Sequence, residues 1–579
     1  MGRIVSLVAV LVVWSAGAVL TQVNPFSQGG SATPGRPAPP GMPPRDNAAP
    51  QTGTGRITGR VVAAPGSTPL RRAQVQLTSS DSSQRRATTT DGEGRYRFEQ
   101  LPAGRYTLTA TKGGFVSLQF GQRYPNEPGK PVTLAEAQTI DRTDFNLPRG
   151  GVVAARITDE FGEPLTGVMV QVQRYQYGPD GQRKLAAVQG APTPFSGTDD
   201  RGDFRIYGLM PGEYVVQASM RSLGPPMANT SDSSEGYAPT YYPGALTPDQ
   251  AQPISVGVGE EHSIQFAMMA GRLGRVSGTV VDAESRPVSG ASLSLVTITG
   301  SGGSSSPAGQ TAANGTFTVN GVPPGEHTLQ VTVRTPGVTP QSGSAPISVG
   351  GDEITGVTIT LGTGATLSGR VIFDGTAPRT GGPGPVRVNA SRVDQQPLGF
   401  MTGGYDPLAN GEIDENGAFK LGGVSGRVFI GVNPPPAWAI RSVSAGGENV
   451  TDVPMELANG TVLSDVRIVL TDKLTNVSGT VKDDRDRAQS EYVVVVLPAR
   501  KMEPLLAARL IRIVRPDTRG RYELSGLRPG SYVAAAVDFL EQGRQFSPEF
   551  QEKLRPRARE FSIREGQSAT VDLELVTGF

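Results

Sequence analysis

Apolar and polar residues alternate with a period of two along most of the chain, in short runs separated by turns rich in Gly and Pro. The stretch "TDGEGRYRFEQLPAGRYTL", which begins at Thr90, is representative. Tyr96 and Phe98 fall on one face of its strand, with charged residues between them. Such alternation predicts a β-strand with one buried and one solvated face. The acidic residues and glycines before the strand are typical of a tight turn, although metal-binding and phosphate-binding loops use the same residue types.

This stretch recurs four more times, in copies that begin at Thr198, Thr311, Ile413 and Pro516. The shared skeleton is x-D-x-x-G-x-(Tyr/Phe)-x-(apolar)-x-x-(Leu/Val)-x-P-G-x-Tyr, and only the fourth copy is one residue short and lacks the Pro. Each copy follows an alternating strand such as "ITGRVV" and precedes a closing strand such as "TDFNLP". Short alternating strands at this density, repeated in tandem, predict a series of β-sandwiches.

Helix is predicted in only two places. "TPDQAQ" at Thr247 and "SPEFQEKLRPRARE" at Ser547 each begin with a hydroxyl residue at the N-cap and Pro at the first helical position. Both stretches therefore predict a helix of one or two turns.

The predicted fold class is all-β, with five tandem Greek-key β-sandwich domains. "IVSLVAVLVVW" followed by Ala16-Gly17-Ala18 predicts a cleaved signal peptide, the alternative being an uncleaved anchor. A stretch of Pro and Gly with almost nothing to bury predicts a disordered linker. The predicted boundaries are a signal peptide at 1–20, a linker at 21–54, and repeats at 55–148, 150–270, 272–362, 364–472 (the atypical fourth) and 474–579.

The order "G-x-V", "P-L-x-x-A-x-V-x-L" and "T-D-x-x-G-x-Y-x-F-x-x-L-P-x-G-x-Y" resembles the carboxypeptidase regulatory-like domain. This resemblance implies a prealbumin-like β-sandwich, grouped with the carbohydrate-binding-like folds and related to the B-type repeats of bacterial adhesins. It implies an accessory, binding or structural role and names no catalytic residue. The fourth repeat departs from the pattern in its shortened turn and in the loose region "TAPRTGGPGPVRVNASRV".

Charge and cysteine content exclude several classes. The formal net charge is +1, with acids and bases interspersed, so no basic field marks a nucleic-acid-binding protein. The chain has no cysteine, which excludes disulfides, thiolate metal sites and a cysteine nucleophile.

No catalytic constellation, metal site or cofactor site is recognisable, and we predict that the protein is not an enzyme. Zinc hydrolysis needs three protein ligands, usually including two histidines, and the only histidines of the chain are His262 and His327. His327 occupies the column held by tyrosines in sister repeats, which indicates a hairpin residue. His262 lies in a turn before a closing strand. Neither a P-loop nor a G-x-S-x-G motif occurs.

Three other motifs are interpreted as structural. The acids of the repeated turn could supply oxygen ligands for calcium, but the third copy keeps the turn with "TAANG" and no acid, which favours turn geometry. The "RGD" at 201–203 occupies this same turn. Lys482, the only lysine in a first strand, is predicted to point outward, so we expect no adhesin-type isopeptide bond there.

Exposed aromatic residues in loops are the candidate ligand-binding residues, because sugars stack on aromatic rings. The candidates are Trp438, Tyr237, Tyr241, Tyr242, Phe120 and Tyr124. The expected function is an exported, non-catalytic binding protein for carbohydrate or an envelope polymer. The alternative is a spacer or adhesion scaffold that contacts another protein, and a hydrolase accessory or enzyme is a remote alternative. The expected location is secreted, periplasmic or cell-surface. Contact with a membrane is expected only through an uncleaved N-terminal segment, and nucleic acid is not expected as a partner.

Overall fold

The computed structural model describes residues 53–79, 85–122, 127–188, 197–220, 235–299, 302–333, 341–376, 386–393, 409–435, 437–517 and 519–578. Strands dominate these residues, and their only α-helices are α1 (Pro504–Leu510) and α2 (Pro548–Leu554). The all-β fold class is therefore confirmed. The predicted signal peptide and nearly all of the predicted linker lie outside the described residues, and the division into five domains stays a prediction.

In the first repeat the strands form two sheets, one built around the first strand and one around the third. The strands are β1 (Gly55–Ala64), β2 (Thr68–Pro69), β3 (Gln74–Ser79), β4 (Arg85–Thr89), β5 (Arg95–Leu101), β6 (Gly104–Thr111), β7 (Leu118–Gln119), β8 (Val132–Leu134), β9 (Thr139–Ile140) and β10 (Phe145–Pro148).

The second and third repeats have the same kind of pairing. The second contains β11 (Gly151–Thr158), β12 (Val168–Tyr177), β13 (Arg183–Ala187), β14 (Asp203–Leu209), β15 (Gly212–Met220), β16 (Glu235–Tyr237), β17 (Thr240–Tyr241), β18 (Ile254–Val256), β19 (Glu261–Ala267) and β20 (Ala270–Arg272). The third contains β21 (Gly274–Val281), β22 (Ser292–Thr299), β23 (Gly302–Gln310), β24 (Thr316–Val322), β25 (Gly325–Val333), β26 (Gln341–Val349) and β27 (Glu353–Thr360).

The last two repeats complete the series. The fourth contains β28 (Ala365–Asp374), β29 (Arg387–Arg392), β30 (Ala409–Glu412), β31 (Ala418–Val424), β32 (Gly426–Val432), β33 (Ala439–Ala445), β34 (Glu448–Asn449), β35 (Met455–Leu457) and β36 (Val462–Thr471). The fifth contains β37 (Asn476–Lys482), β38 (Ala488–Gln489), β39 (Val493–Pro498), β40 (Arg512–Val514), β41 (Arg521–Ser525), β42 (Gly530–Val537), β43 (Arg559–Ile563), β44 (Ser568–Thr570) and β45 (Leu573–Val576).

One topology recurs in every repeat. The first strand pairs antiparallel with the strand after the repeated turn and parallel with the closing strand, as β11 does with β14 and β19. A parallel pair cannot be joined by a tight turn. The chain therefore runs through the second sheet before it returns, and the closing strand ties the end of each repeat to its beginning.

Hydrophobic residues from the two sheets meet between them. In β5 the burial pattern alternates, with Tyr96 and Phe98 facing the core of the first repeat as predicted. Clusters of the same kind draw their residues from 153–268, 276–361, 365–470 and 477–573. The period-two reading of the sequence is confirmed by these cores.

A glycine in the middle of the first strand explains an irregularity in this pairing. A Cβ atom at the equivalent glycines would lie between 1.8 and 2.3 Å from a carbonyl oxygen of the closing segment. These glycines are Gly59, Gly278, Gly369 and Gly479. The second repeat has Ala155 there, and its parallel pairing runs without a register shift from Val152 to Thr158. A glycine at this position is therefore accompanied by a bulge in the closing strand, whereas alanine is accompanied by a regular hydrogen-bonded ladder.

The fifth repeat departs from simple alternation. All six residues of β39 are buried because α2 and its neighbours cover the outer face of the sheet, where Phe550 and Leu554 complete a second hydrophobic cluster. The predicted N-cap is confirmed, since the Ser547 side chain accepts a hydrogen bond from the Phe550 N–H. The stretch after Thr247 forms a single 3-10 turn at Pro248–Gln250. Helix α1 was not predicted.

Candidate functional site

The first aspartate of the repeated turn is hydrogen-bonded to the backbone. Asp91 Oδ1 accepts hydrogen bonds from the Glu93 and Arg95 N–H groups, at 3.0 and 2.7 Å, and Asp414 and Asp517 make the same pair of contacts in their repeats. Among the described residues, no group of three His, Cys, Asp or Glu is arranged to hold a metal ion. The carboxylates close the turn, as an Asx-turn does.

The glycine of this turn is required by geometry. Gly94 has a φ of +76°, and a Cβ there would lie 2.5 Å from the Val61 carbonyl oxygen. The turn is also fastened from the other side, where the Thr90 hydroxyl donates to the Leu70 carbonyl and accepts from the Ala73 N–H at 2.8 Å. This threonine contact recurs in the second and third repeats. The stretch that first suggested a ligand site is a structural corner.

The ring of each histidine contacts a neighbouring polar group of the protein. His327 is buried, with Nδ1 at 2.9 Å from the Thr297 hydroxyl and Nε2 at 2.7 Å from the Pro323 carbonyl. The Tyr106 hydroxyl donates to the Pro102 carbonyl in the corresponding way, so the predicted structural role of His327 is confirmed. The other histidine, His262, is the second residue of β19, and its Nε2 lies 3.0 Å from a carboxylate oxygen of the exposed Glu260.

Asp203 of the "RGD" turn and Lys482 each form a salt bridge within the protein. Asp203 forms a two-point salt bridge with Arg156, at 2.8 and 3.0 Å, and this contact lowers the pKa of the Asp203 carboxyl. Lys482 faces solvent and pairs with Asp486 at 2.7 Å, as its predicted outward direction requires.

Two of the candidate aromatic residues are not exposed, which corrects the premise of a stacking platform there. Trp438 is 3% exposed and packs edge-on against Phe373 within the core of the fourth repeat. Tyr241 is 4% exposed and covers the outer face of a sheet with Val215 and Leu185. Apolar surface on these loops is thus used to cover neighbouring strands, so sugar rings cannot reach it in this conformation.

The other aromatic candidates are half-buried or outside the described residues. Tyr242 packs edge-on against Phe266, and the Tyr237 hydroxyl lies 3.2 Å from a carboxylate oxygen of a neighbouring glutamate. Phe120 packs against the core of the first repeat. Tyr124 lies outside the described residues. The five described candidates are thus distributed over the hydrophobic clusters of three repeats.

A cluster of buried charge that was not predicted joins the first and fifth repeats. The side chains of Arg515 and Glu127 are 1% and 0% exposed and form a direct ion pair. Arg515 also contacts Glu491, at 3.2 Å, and donates to the Gly121 carbonyl at 3.1 Å. Lys130 completes the group by pairing with Glu491. Two cations and two anions are thereby balanced, and among these four side chains only Glu491, at 40%, is substantially exposed.

A second charged contact joins the fourth and fifth repeats. Asp452 pairs with Arg528 and lies 3.6 Å from Arg509. The guanidinium of Arg509 lies 4.1 Å above the ring of Phe429, a cation–π contact. Burial lowers the pKa of Arg509, and the charge of Asp452 opposes that shift.

A third contact joins the second and fifth repeats. Arg174, whose side chain is 12% exposed, pairs with Glu541. Gly543 approaches the backbone of Tyr177 so closely that a Cβ would lie 2.9 Å from its carbonyl oxygen. The fifth repeat thus contacts the fourth, which directly precedes it in the chain, and also the first and second, which are far from it in sequence. Because these charges do not recur between repeats, self-comparison of the sequence gave no signal for them.

Residues 56–148 and 275–378 match the model of the carboxypeptidase regulatory-like domain. The resemblance seen in the sequence is confirmed for these two stretches. The matched stretch 56–148 includes the turn at Asp91, and it includes Glu127 and Lys130 of the buried charge cluster. No curated protein matches the chain.

Three solved structures illustrate the similarity to known structures. The Bacillus anthracis TIE protein is 12% identical, covers 69% of this chain and 69% of its own length, and has a TM-score of 0.15. The minor pilin GBS52 of Streptococcus agalactiae is 16% identical over 37% of this chain and 95% of its own, with a TM-score of 0.20. The major pilin subunit BcpA of Bacillus cereus is 12% identical over 53% and 99%, with a TM-score of 0.13.

Within the described residues, no helix combines the length and the apolar character that crossing a membrane requires.

Proposed function

We propose that this protein is an exported, non-catalytic scaffold of β-sandwich repeats in which the fifth repeat holds the first, second and fourth together. The observation that supports the proposal is the buried cluster around Arg515 and Glu127. Charged residues are almost never fully buried unless they are paired. A buried cluster of this kind between distant repeats favours one defined arrangement over a freely jointed string.

The energetics of buried ion pairs suggest how the contact acts. Removing one partner of a buried pair costs about 3–5 kcal/mol because the other charge is left uncompensated, whereas replacing both partners by apolar residues is often neutral or stabilising. Arg515→Met alone would leave Glu127 buried without its main counterion. The pair Arg515→Met with Glu127→Met removes both charges and keeps an apolar contact.

This contrast gives the test. We expect Arg515→Met to increase the radius of gyration of the chain in small-angle X-ray scattering and to lower its sedimentation coefficient, and we expect the double variant to restore both values. Arg519→Met is the matched control, since Arg519 is exposed on the neighbouring turn. Hydrogen exchange over β39 and β42 checks that the fifth repeat itself stays folded. An unchanged radius of gyration in Arg515→Met, with the fifth repeat folded, would refute the proposed role of the cluster.

The second candidate function is binding of carbohydrate or another envelope polymer. The match of two stretches to the carboxypeptidase regulatory-like domain supports it, because the resemblance implies a domain class that is grouped with carbohydrate-binding-like folds. Because Trp438 and Tyr241 are buried, an aromatic platform is not the best-supported site for such a ligand. A charged sheet face of the first repeat is better suited. Export is proposed on the apolar N-terminal stretch of the sequence.

A further inference from the structure

The outer face of the first sheet in the first repeat carries four exposed arginines. Arg56 and Arg60 lie on β1, and Arg95 and Arg97 lie on β5. Arg60 stands directly opposite Arg95 in the antiparallel register, and Arg97 stands opposite Thr58. Like charges placed opposite each other across two strands destabilise a sheet. This face therefore keeps a charge pattern that folding alone does not favour.

The second repeat shows what the same positions look like when the charges are matched. Arg156 occupies the register position of Arg60, and its opposite residue is Asp203, which binds it at two points. Arg205, in the position of Arg97, is bound at 3.3 and 3.0 Å by Glu261. The first repeat replaces the first acid with Arg95 and the second with Thr139.

Within the part of the chain that the structure describes, nearby acidic residues form ion pairs with only two of these four arginines. Glu99 lies 3.2 Å from Arg56 and 3.9 Å from Arg97. Asp141 accepts a hydrogen bond from the Thr58 hydroxyl, and Asp144 accepts one from the Arg60 backbone N–H. The Arg60 side chain donates to the Glu93 carbonyl. Among the described residues, Arg60 and Arg95 form no ion pair.

The spacing of these four residues along and across the strands suits an extended anion. Residues two apart on a strand are separated by about 6.6 Å and neighbouring strands by about 4.8 Å, so the four arginines form a flat grid rather than a pocket. Arginine binds carboxylates through two parallel hydrogen bonds. The outward residues of β1 and β5 include no aromatic ring for stacking nucleic-acid bases and no apolar side chain to insert into a membrane.

We infer that this arginine face, defined as Arg56, Arg60, Arg95 and Arg97, binds a carboxylate-bearing anionic polysaccharide. The inference deepens the second proposed function and rests on it, but it does not depend on the scaffold role of the fifth repeat. Binding through charge-assisted hydrogen bonds on an open face weakens with added salt, because exposed charges are screened.

The test uses the full chain and immobilised polygalacturonate, with dextran as the neutral control polymer. Arg95→Asp creates at this register the pair found in the second repeat, so we expect the first repeat to keep or gain stability while affinity for polygalacturonate falls by at least about tenfold. Arg519→Asp makes the same change in net charge on an exposed turn of the fifth repeat, and we expect it to leave affinity within about twofold.

If Arg95→Asp keeps or raises the stability of the first repeat while it lowers the affinity for polygalacturonate, Arg95 serves ligand binding and not folding. Unchanged polygalacturonate affinity in Arg95→Asp, or equal binding to dextran, would overturn the inference. Tighter binding to a DNA duplex or to anionic phosphatidylglycerol vesicles than to polygalacturonate would overturn the polysaccharide assignment. If Arg515→Met expands the chain while polygalacturonate does not bind, the scaffold proposal stands and the arginine face fails.

Discussion

Replacing Gly369 with alanine tests the bulge that joins the first and closing strands of the fourth repeat. The register between β28 and β36 shifts here, since Leu367 pairs with Leu463 but Gly369 pairs with Val466. A Cβ at residue 369 would lie 1.8 Å from the Val466 carbonyl oxygen and 2.6 Å from its carbonyl carbon. Both atoms belong to the backbone, so no side chain can rotate to relieve the contact.

The size of the effect follows from this distance. To reach an ordinary contact of roughly 3.5 Å, the closing strand must move by about 1.7 Å. Overpacking that shifts a backbone costs about 1–3 kcal/mol, and each ladder hydrogen bond lost adds about 1 kcal/mol. We expect Gly369→Ala to destabilise the fourth repeat by about 2–4 kcal/mol. Without the clash, alanine would stabilise the repeat by about 0.4–1 kcal/mol through the unfolded state, so the sign alone is decisive.

Trp438 provides the assay because it is buried in the core of this repeat. The chain has two tryptophans, and Trp14 lies in the predicted signal peptide, so the fluorescence of the mature chain reports on the fourth repeat. We expect the urea midpoint of the Trp438 transition to fall by at least about 1 M. Ala155→Gly, at the unbulged position of the second repeat, is the control and should leave this transition unchanged. A midpoint for Gly369→Ala equal to or above that of the unaltered chain would refute the reasoning.

Two further predictions concern buried and exposed polar groups. Tyr522→Phe removes the hydroxyl that donates to the Val571 carbonyl in the fifth repeat, and we expect a loss of about 1–2 kcal/mol, measured as faster hydrogen exchange in β37; an unchanged exchange rate would contradict this. Because Lys482 is exposed and paired with an aspartate, we expect the intact mass to equal that of the unmodified mature chain, whereas a deficit of one water or ammonia would show an isopeptide bond.

Much of the fold could be predicted because it is encoded locally and repeated. Tyr96 and Phe98 alternate with charged residues, and Gly94 follows Asp91 at the spacing of a tight turn, so one copy gives strand, face and corner. The N-cap at Ser547 was predictable for the same reason, since its signal lies within a few residues. The double-sided burial of β39 was not, because it depends on helices that cover the sheet from elsewhere in the chain.

The candidate site was the weakest prediction, for a physical reason. An aromatic residue in a Pro-rich loop has the same local sequence whether its ring faces solvent or folds back over a sheet. Trp438 and Tyr241 fold back. The contrast between Arg95 and Asp203, by comparison, is visible in the aligned repeats, but its meaning depends on the strand register that places each opposite an arginine.

The sequence by itself determined the all-β class, the repeated turn and the inward-facing residues, because period-two alternation and turn chemistry act over a few residues. Only the tertiary structure decided that Arg515 meets Glu127 and that Arg174 meets Glu541. Such contacts join residues hundreds of positions apart, and a single charged side chain carries no local mark of its partner. Charge compensation in a buried site is a property of the assembled chain, and it is there that the proposed scaffold role has its support.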